Sequence, residues 1–226
     1  MDSNKKVSRV AGILNLVIAV CAPFSIIFVP SKLIVAGNAS LTASNIIASE
    51  MLFRAASVIS IIVHIIQILF VFLLYKLLKK INKTNALLMI IFSLIGVSIA
   101  LFNELNQFAV LLLLNGSDYL KVFNINQLQS LAMFFLNLHS QGLLISQIFW
   151  GIWLFPLGYL ILKSGEIPKF IGILLIIAGF GYLIDCFCKL IFTNYNITIS
   201  TFTFIGELLF TFWLLIKGVK DNVNDS

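Results

Sequence analysis

The sequence is poor in charge. Asp, Glu, Lys and Arg make up 11% of it, against about 25% in an ordinary soluble domain, while 60% is hydrophobic and the mean hydropathy is +1.06. A soluble fold of 226 residues cannot hide that much apolar surface. Cysteine is scarce too: Cys21, Cys186 and Cys188 give no even-numbered disulfide framework. Cys186 and Cys188 stand two apart on a helix and so point in nearly opposite directions, which argues against joint metal binding. His-x-x-x-His, His-Glu-x-x-His and Gly-x-Ser-x-Gly are all missing, so no tidy hydrolase signature is present. The halves show no convincing self-similarity and no paired Gly/Pro interruptions, which weakens an inverted-repeat transporter plan.

What is abundant is long apolar runs. Stretches of about 20 apolar residues cross a bilayer, and six such spans fall at roughly 10–29, 53–76, 86–114, 130–162, 170–192 and 198–216. The expected fold class is all-α: a polytopic membrane protein of six transmembrane helices in one bundle, a single domain over 1–226 with little chain left for another.

The net charge of +6 is explained by where the cations sit. Lys5, Lys6, Arg9, Lys76, Lys79, Lys80, Lys83, Lys163, Lys169, Lys217 and Lys220, eleven of the fifteen, fall on one side of the expected bundle. The opposite loops hold Lys32 and Lys121, and Arg54 and Lys189 lie at span ends. By the positive-inside rule both termini are cytoplasmic. These lysines read as topology signals and lipid-headgroup anchors, so no nucleic-acid partner is expected. The N-terminal region resembles a signal peptide, but cleavage after Ala22 would leave Pro23 at the new terminus, and the apolar run continues to Val29. A retained first span is the better reading.

Between spans, Gly37-Asn38 suits a turn, and Thr42 or Ser44 is placed to cap a helix running through Ile46 and Glu50 into the second span. Asn115-Gly116 opens the next outer loop, with Asn124 or Asn126 as cap for span four, which is long enough to tilt or to kink near Pro156. Gly165 stops that helix and Pro168 starts the next, a tight cytoplasmic hairpin. Asn38, Asn115 and Asn196 match the glycosylation pattern, a match that an Asn- and Ser-rich chain also yields by chance.

Against this apolar background stand Arg54, His64, Glu104, His139, Asp185, Lys189 and Glu207. Ionisable groups at a span centre cost about 2.5–3.5 kcal/mol each on insertion scales, so they face one another or water. Polar and small residues recur at three- and four-residue spacing in every span, for example Ser57, Ser60, His64, Gln67 and Ser93, Gly96, Ala100, Asn103, Gln107. Much of each stripe is close helix packing. At 1.5 Å rise per residue, Glu104, His139 and Glu207 lie roughly 15 Å from the outer ends of their spans, which predicts a polar pocket in the outer leaflet half, closed by the 31–50 and 115–129 loops. Glu50 and Arg54 can pair at i, i+4, as can Asp185 and Lys189, while Glu207 has no opposite charge nearby and must be protonated, hydrated or paired across helices.

Three classes of function suit such a pocket. A binding, sensory or accessory protein would hold a lipid or small amphiphile there, with Arg54, His64, Asn103, Gln107 and Lys189 as contacts, or would pair its charges with a membrane partner or a second copy. An enzyme would use Glu104 or Asp185 as base, His139 as acid, base or ligand, and Glu207 as a further acid; Glu104, His139 and Asp185 would also suit a metal such as zinc. A proton-coupled carrier would titrate the same carboxylates, with Glu207 as the coupling residue.

Three separated stretches, LIVAGNASLTASNIIASEMLFR, NGSDYLKVFNINQLQSLAMFFLNLHSQG and KSGEIPKFIGILLIIAGFGYLID, resemble in order the bacterial family known as domain of unknown function 4386. The similarity runs from about Val10 to about Phe192. It implies a multi-pass bacterial inner-membrane protein, and its recurring elements would correspond to Ser49, Glu50, Phe53 and Arg54, to Leu138 and His139, and to Gly181 through Asp185. It implies no reaction.

Overall fold

A computed structural model describes residues 3–192 and 197–219, which are helical with no strand among them. Asn196 and Lys220 lie outside the described residues. Helix α1 (Ser3–Pro23) passes through Pro23 into a π turn (Phe24–Phe28) and then α2 (Val29–Leu33). Pro23 has no N–H to give, so the ladder widens there. The Ser25 hydroxyl donates back to Ala22 O at 3.1 Å within this turn.

Gly37, at φ +73°, turns the chain early enough for Asn38 to cap α3 (Ala39–Ala48), its Oδ1 accepting the Leu41 N–H at 2.9 Å. The cap is therefore neither Thr42 nor Ser44. Thr42 is buried inside α3, where its Oγ1 accepts the Val35 N–H, and Ser44 donates back to Ser40 O. The helix also fails to run on into the second span: it breaks at Ser49 before α4 (Glu50–Leu78).

Then come α5 (Lys83–Asn103) and α6 (Leu105–Leu114), one long rod interrupted at Glu104. Asn124 caps α7 (Ile125–Ile152) by a reciprocal box: its Oδ1 accepts the Gln127 N–H, and Gln127 Oε1 accepts its own. The break at Trp153, before α8 (Leu154–Ser164), lies three residues ahead of Pro156, as a proline lacking an N–H requires. Gly165 at φ +70° ends α8, and Pro168 precedes α9 (Lys169–Ile191). Two short pieces, α10 (Ser200–Thr203) and α11 (Ile205–Ile216), complete the described chain.

Asn4–Leu33, Glu50–Leu78, Lys83–Leu114, Ile125–Ser164 and Lys169–Ile191 are long and apolar enough to cross a bilayer. Ser200–Ile216, where the sixth span was expected, is apolar but shorter. These helices make the chain a multi-pass membrane protein.

Contacts divide the described residues into two compact units, one within Met1–Ala19, Ile65–Ser98 and Leu144–Ser226, the other within Val20–His64 and Ile99–Leu143. The first packs Phe70, Leu74, Met89, Leu157, Leu175 and Phe210 into its core. Its α8 and α9 meet backbone to backbone. A Cβ on Gly158 would lie 2.7 Å from the Gly172 carbonyl, and one on Gly172 would lie 2.8 Å from the Gly158 carbonyl. Gly151, at the end of α7, and Gly179 on α9 make a second such contact, seven residues from the first along each stretch of chain. In the same unit Gly12 sits against Leu215, and Asn15 Nδ2 donates to Thr211 Oγ1 at 2.7 Å, so that the small-residue stripe of the first span meets α11. The second unit is organised around Val29, Ile46, Phe53, Val110 and Leu136, and its polar face is the candidate site.

Candidate functional site

Within the second unit, three pieces of chain bring polar groups together. Ser57, Ser60 and His64 line one face of α4, Asn103, Glu104 and Gln107 surround the α5–α6 junction, and His139 comes from α7. The junction is a local tightening: the Glu104 N–H is shared between the Ala100 and Leu101 carbonyls at 3.3 Å each.

Glu104 is only 1% exposed. The Ser60 hydroxyl donates to its Oε1 at 2.5 Å, a short hydrogen bond. His139 Nε2 lies 3.6 Å from the same oxygen. Glu104 Oε2 is buried and has no hydrogen-bond partner among the described residues. Ser57 Oγ is 2.8 Å from Gln107 Oε1 and 3.2 Å from Phe53 O, so its single proton goes to the nearer Gln107. That turns the Gln107 amide nitrogen toward His139 Nε2, at 3.1 Å, where the amide donates and the imidazole accepts. His64 closes the row, its Nδ1 2.7 Å from the Ser60 carbonyl.

The α7 side is held by close fit. Asn103 Nδ2 donates to the His139 carbonyl at 2.8 Å, and Asn106 Nδ2 donates to Asn103 Oδ1 at 2.8 Å. Gly142 makes room for this, since a Cβ there would fall 2.0 Å from Asn103 Oδ1. Sequence patterning placed Asn103, Gln107, His64 and His139 on inward stripes with Glu104 beside them, but only the packed helices show Gly142 and Asn103 orienting His139.

The other expected site residues are elsewhere. Arg54 Nε pairs with Glu50 Oε1 at 2.7 Å on a half-exposed helix face of this unit, as the i, i+4 spacing predicts. Asp185, Lys189 and Glu207 belong to the first unit. Asp185 is fully buried and does not pair with Lys189 at i, i+4. Its two oxygens accept the backbone N–H groups of Ile199 and Ser200, each at 2.7 Å, capping the helix that follows. A carboxylate satisfied by amides at a helix N-terminus needs no cation beside it. Glu207 is partnered across helices: the Tyr182 hydroxyl donates to its Oε1 at 2.9 Å.

Among the described residues, no three His, Cys, Asp or Glu side chains converge as a metal ion would require. Glu104 and His139 are neighbours, whereas Asp185 is committed to backbone amides. The 115–129 loop carries an open cleft lined by Lys121, Phe123, Asn124 and Ile125, without Glu104 or His139 in its wall.

A family model described as Domain of unknown function (DUF4386) matches residues 10–218. The chain belongs to the DUF4386 family. The match reaches beyond Phe192, through α11, so the DUF4386 domain takes in both units. An uncharacterized protein of Archaeoglobus fulgidus is 50% identical over 76 residues, 34% of this chain and 46% of that protein, so the match spans about half of the relative's length. No solved structure matches the chain.

Proposed function

We propose that this DUF4386 protein is a binding protein of the cytoplasmic membrane, with a sensory or accessory role, whose ligand site is the Ser57–Ser60–His64–Asn103–Glu104–Gln107–His139 cluster. In this reading the chain crosses the bilayer six times, with Ser200–Ile216 as the last span, and forms a single domain with both termini cytoplasmic and the cluster in the outer leaflet half. The charge asymmetry of its loops supports that orientation.

The observation that carries the proposal is the Glu104 carboxylate, buried with one oxygen satisfied and the other not. An unmet buried acceptor costs about 1–3 kcal/mol, more when it is charged, and a fold retains such a cost where a ligand relieves it. Catalysis is served less well. Ser60 donates to the carboxylate and not to the imidazole, so its hydroxyl is not deprotonated by His139 as a nucleophile would be.

Thermal unfolding of the purified full chain in detergent, scanned against small polar solutes and amphiphiles, tests the reading. A midpoint increase in wild type that disappears in Glu104→Gln and in Gln107→Leu is expected. Equal increases in all three proteins would remove the cluster as the site.

A further inference from the structure

We infer that the group Glu104 Oε2 awaits is a small cationic N–H donor, ammonium or a primary alkylammonium. The inference rests on the binding role proposed for this cluster and names its ligand class.

Three observations set the chemistry. First, the site is short of a donor. Glu104 Oε2 is shielded from water and has no partner among the described residues, while Oε1 already holds the Ser60 hydroxyl. Second, it is short of positive charge. The one cationic candidate within 4.0 Å of Glu104 among the described residues is His139, and its Nε2 is turned into an acceptor by the Gln107 amide. The remaining titratable neighbour, His64 on α4, has its Nδ1 on the Ser60 carbonyl. Third, the amides around the imidazole are fixed: Ser57 holds Gln107, and Asn103, seated against Gly142, holds the His139 backbone. A neutral donor such as water would satisfy the oxygen and leave the charge uncompensated. Among the described residues no three His, Cys, Asp or Glu side chains converge here to hold a metal ion. An N–H-bearing cation answers both shortages with a single charge-assisted hydrogen bond.

The test needs the full chain in detergent, held at constant ionic strength. Thermal unfolding is followed while sodium chloride is replaced by ammonium, methylammonium or tetramethylammonium chloride. The last carries the same charge with no N–H. Saturable stabilisation by ammonium and methylammonium, at least tenfold weaker for tetramethylammonium, is expected in wild type and in Glu207→Gln, and its loss is expected in Glu104→Gln. The tetramethylammonium contrast is read on the unaltered protein, so it stands even where a variant does not fold. Equal effects of all three cations, no saturable effect of any, or retention in a folded Glu104→Gln protein would each overturn the inference. If uncharged amphiphiles still stabilise the protein through Glu104 while ammonium does nothing, the cation fails and the binding site survives.

Discussion

Among the described residues each unit buries one carboxylate completely, and the two are treated in opposite ways. Asp185 has both oxygens on backbone amides of its own unit. Glu104 has one oxygen on a serine and the other on nothing described. The surroundings differ in the same sense. The Asp185 unit is pressed together at glycines until carbonyl meets Cα, whereas the Glu104 unit spends its interior positions on Ser, His, Asn and Gln. An acid that completes a backbone is architecture, and an acid left incomplete in a polar interior is available for work. Substitutions at five positions would break or sharpen that contrast.

The largest effect should come from Gly158→Leu. The new side chain starts 2.7 Å from the Gly172 carbonyl, an atom that cannot rotate away, so α8 and α9 must separate. Overpacking of well-packed sites typically costs about 1–3 kcal/mol, and a clash with backbone belongs at or above the top of that range. Denaturant titration in micelles reads it. Stability within about 0.5 kcal/mol of wild type, the ordinary range for harmless surface changes, would mean that these helices are not in backbone contact.

Next is Asp185→Ala, which strands the Ile199 and Ser200 amides. Each orphaned buried donor costs about 1–3 kcal/mol, and some water reaches a helix end, so a loss of about 2–3 kcal/mol is expected. Asp185→Asn keeps one acceptor and should lose about half as much. Glu104→Gln should move the other way. It removes an uncompensated buried charge while leaving an acceptor for Ser60, and relieving such a charge is worth on the order of 1–2 kcal/mol. A ligand-free Glu104→Gln protein that unfolds earlier than wild type would place Glu104 with Asp185 as a structural acid and erase the contrast.

The unequal treatment of the two acids was only partly legible in the sequence. Asn103, Glu104, Gln107, Ser57, Ser60 and His64 announce themselves because three- and four-residue spacing puts them on helix faces and lipid tolerates none of them cheaply. The same spacing found the Glu50–Arg54 pair, while Pro156 and Asn124 signalled the helix break at Trp153 and the α7 cap. It failed for Asp185, since the nearest cation along the helix is a visible partner and backbone amides 14 and 15 residues away are not. Thr42 misled for a related reason: any hydroxyl before an apolar run resembles a cap, and only the turn at Gly37 decides which residue comes first. Gly151 and Gly158, and likewise Gly172 and Gly179, stand seven residues apart, but that spacing does not reveal that the two pairs face each other.

The smallest effect is expected at Glu207, and it tests the carrier reading. Tyr182 donates to Glu207 Oε1, and the amide oxygen of Gln presents an acceptor of the same shape in the same place. A hydrogen bond to a charged group is stronger than one to a neutral group by roughly 1 kcal/mol, part of which is returned because the neutral side chain is cheaper to bury. Glu207→Gln should therefore shift stability by no more than about 0.5 kcal/mol. Tyr182→Phe, which removes the donor and leaves the acceptor unmet, should cost more. A protein this tolerant of Glu207→Gln can be reconstituted and compared directly with wild type for proton movement into vesicles. If the rates match, Glu207 is a helix-pairing group like Asn15 and Thr211 in the same unit, and the search for an ionisable site that acts narrows to the cluster around Glu104.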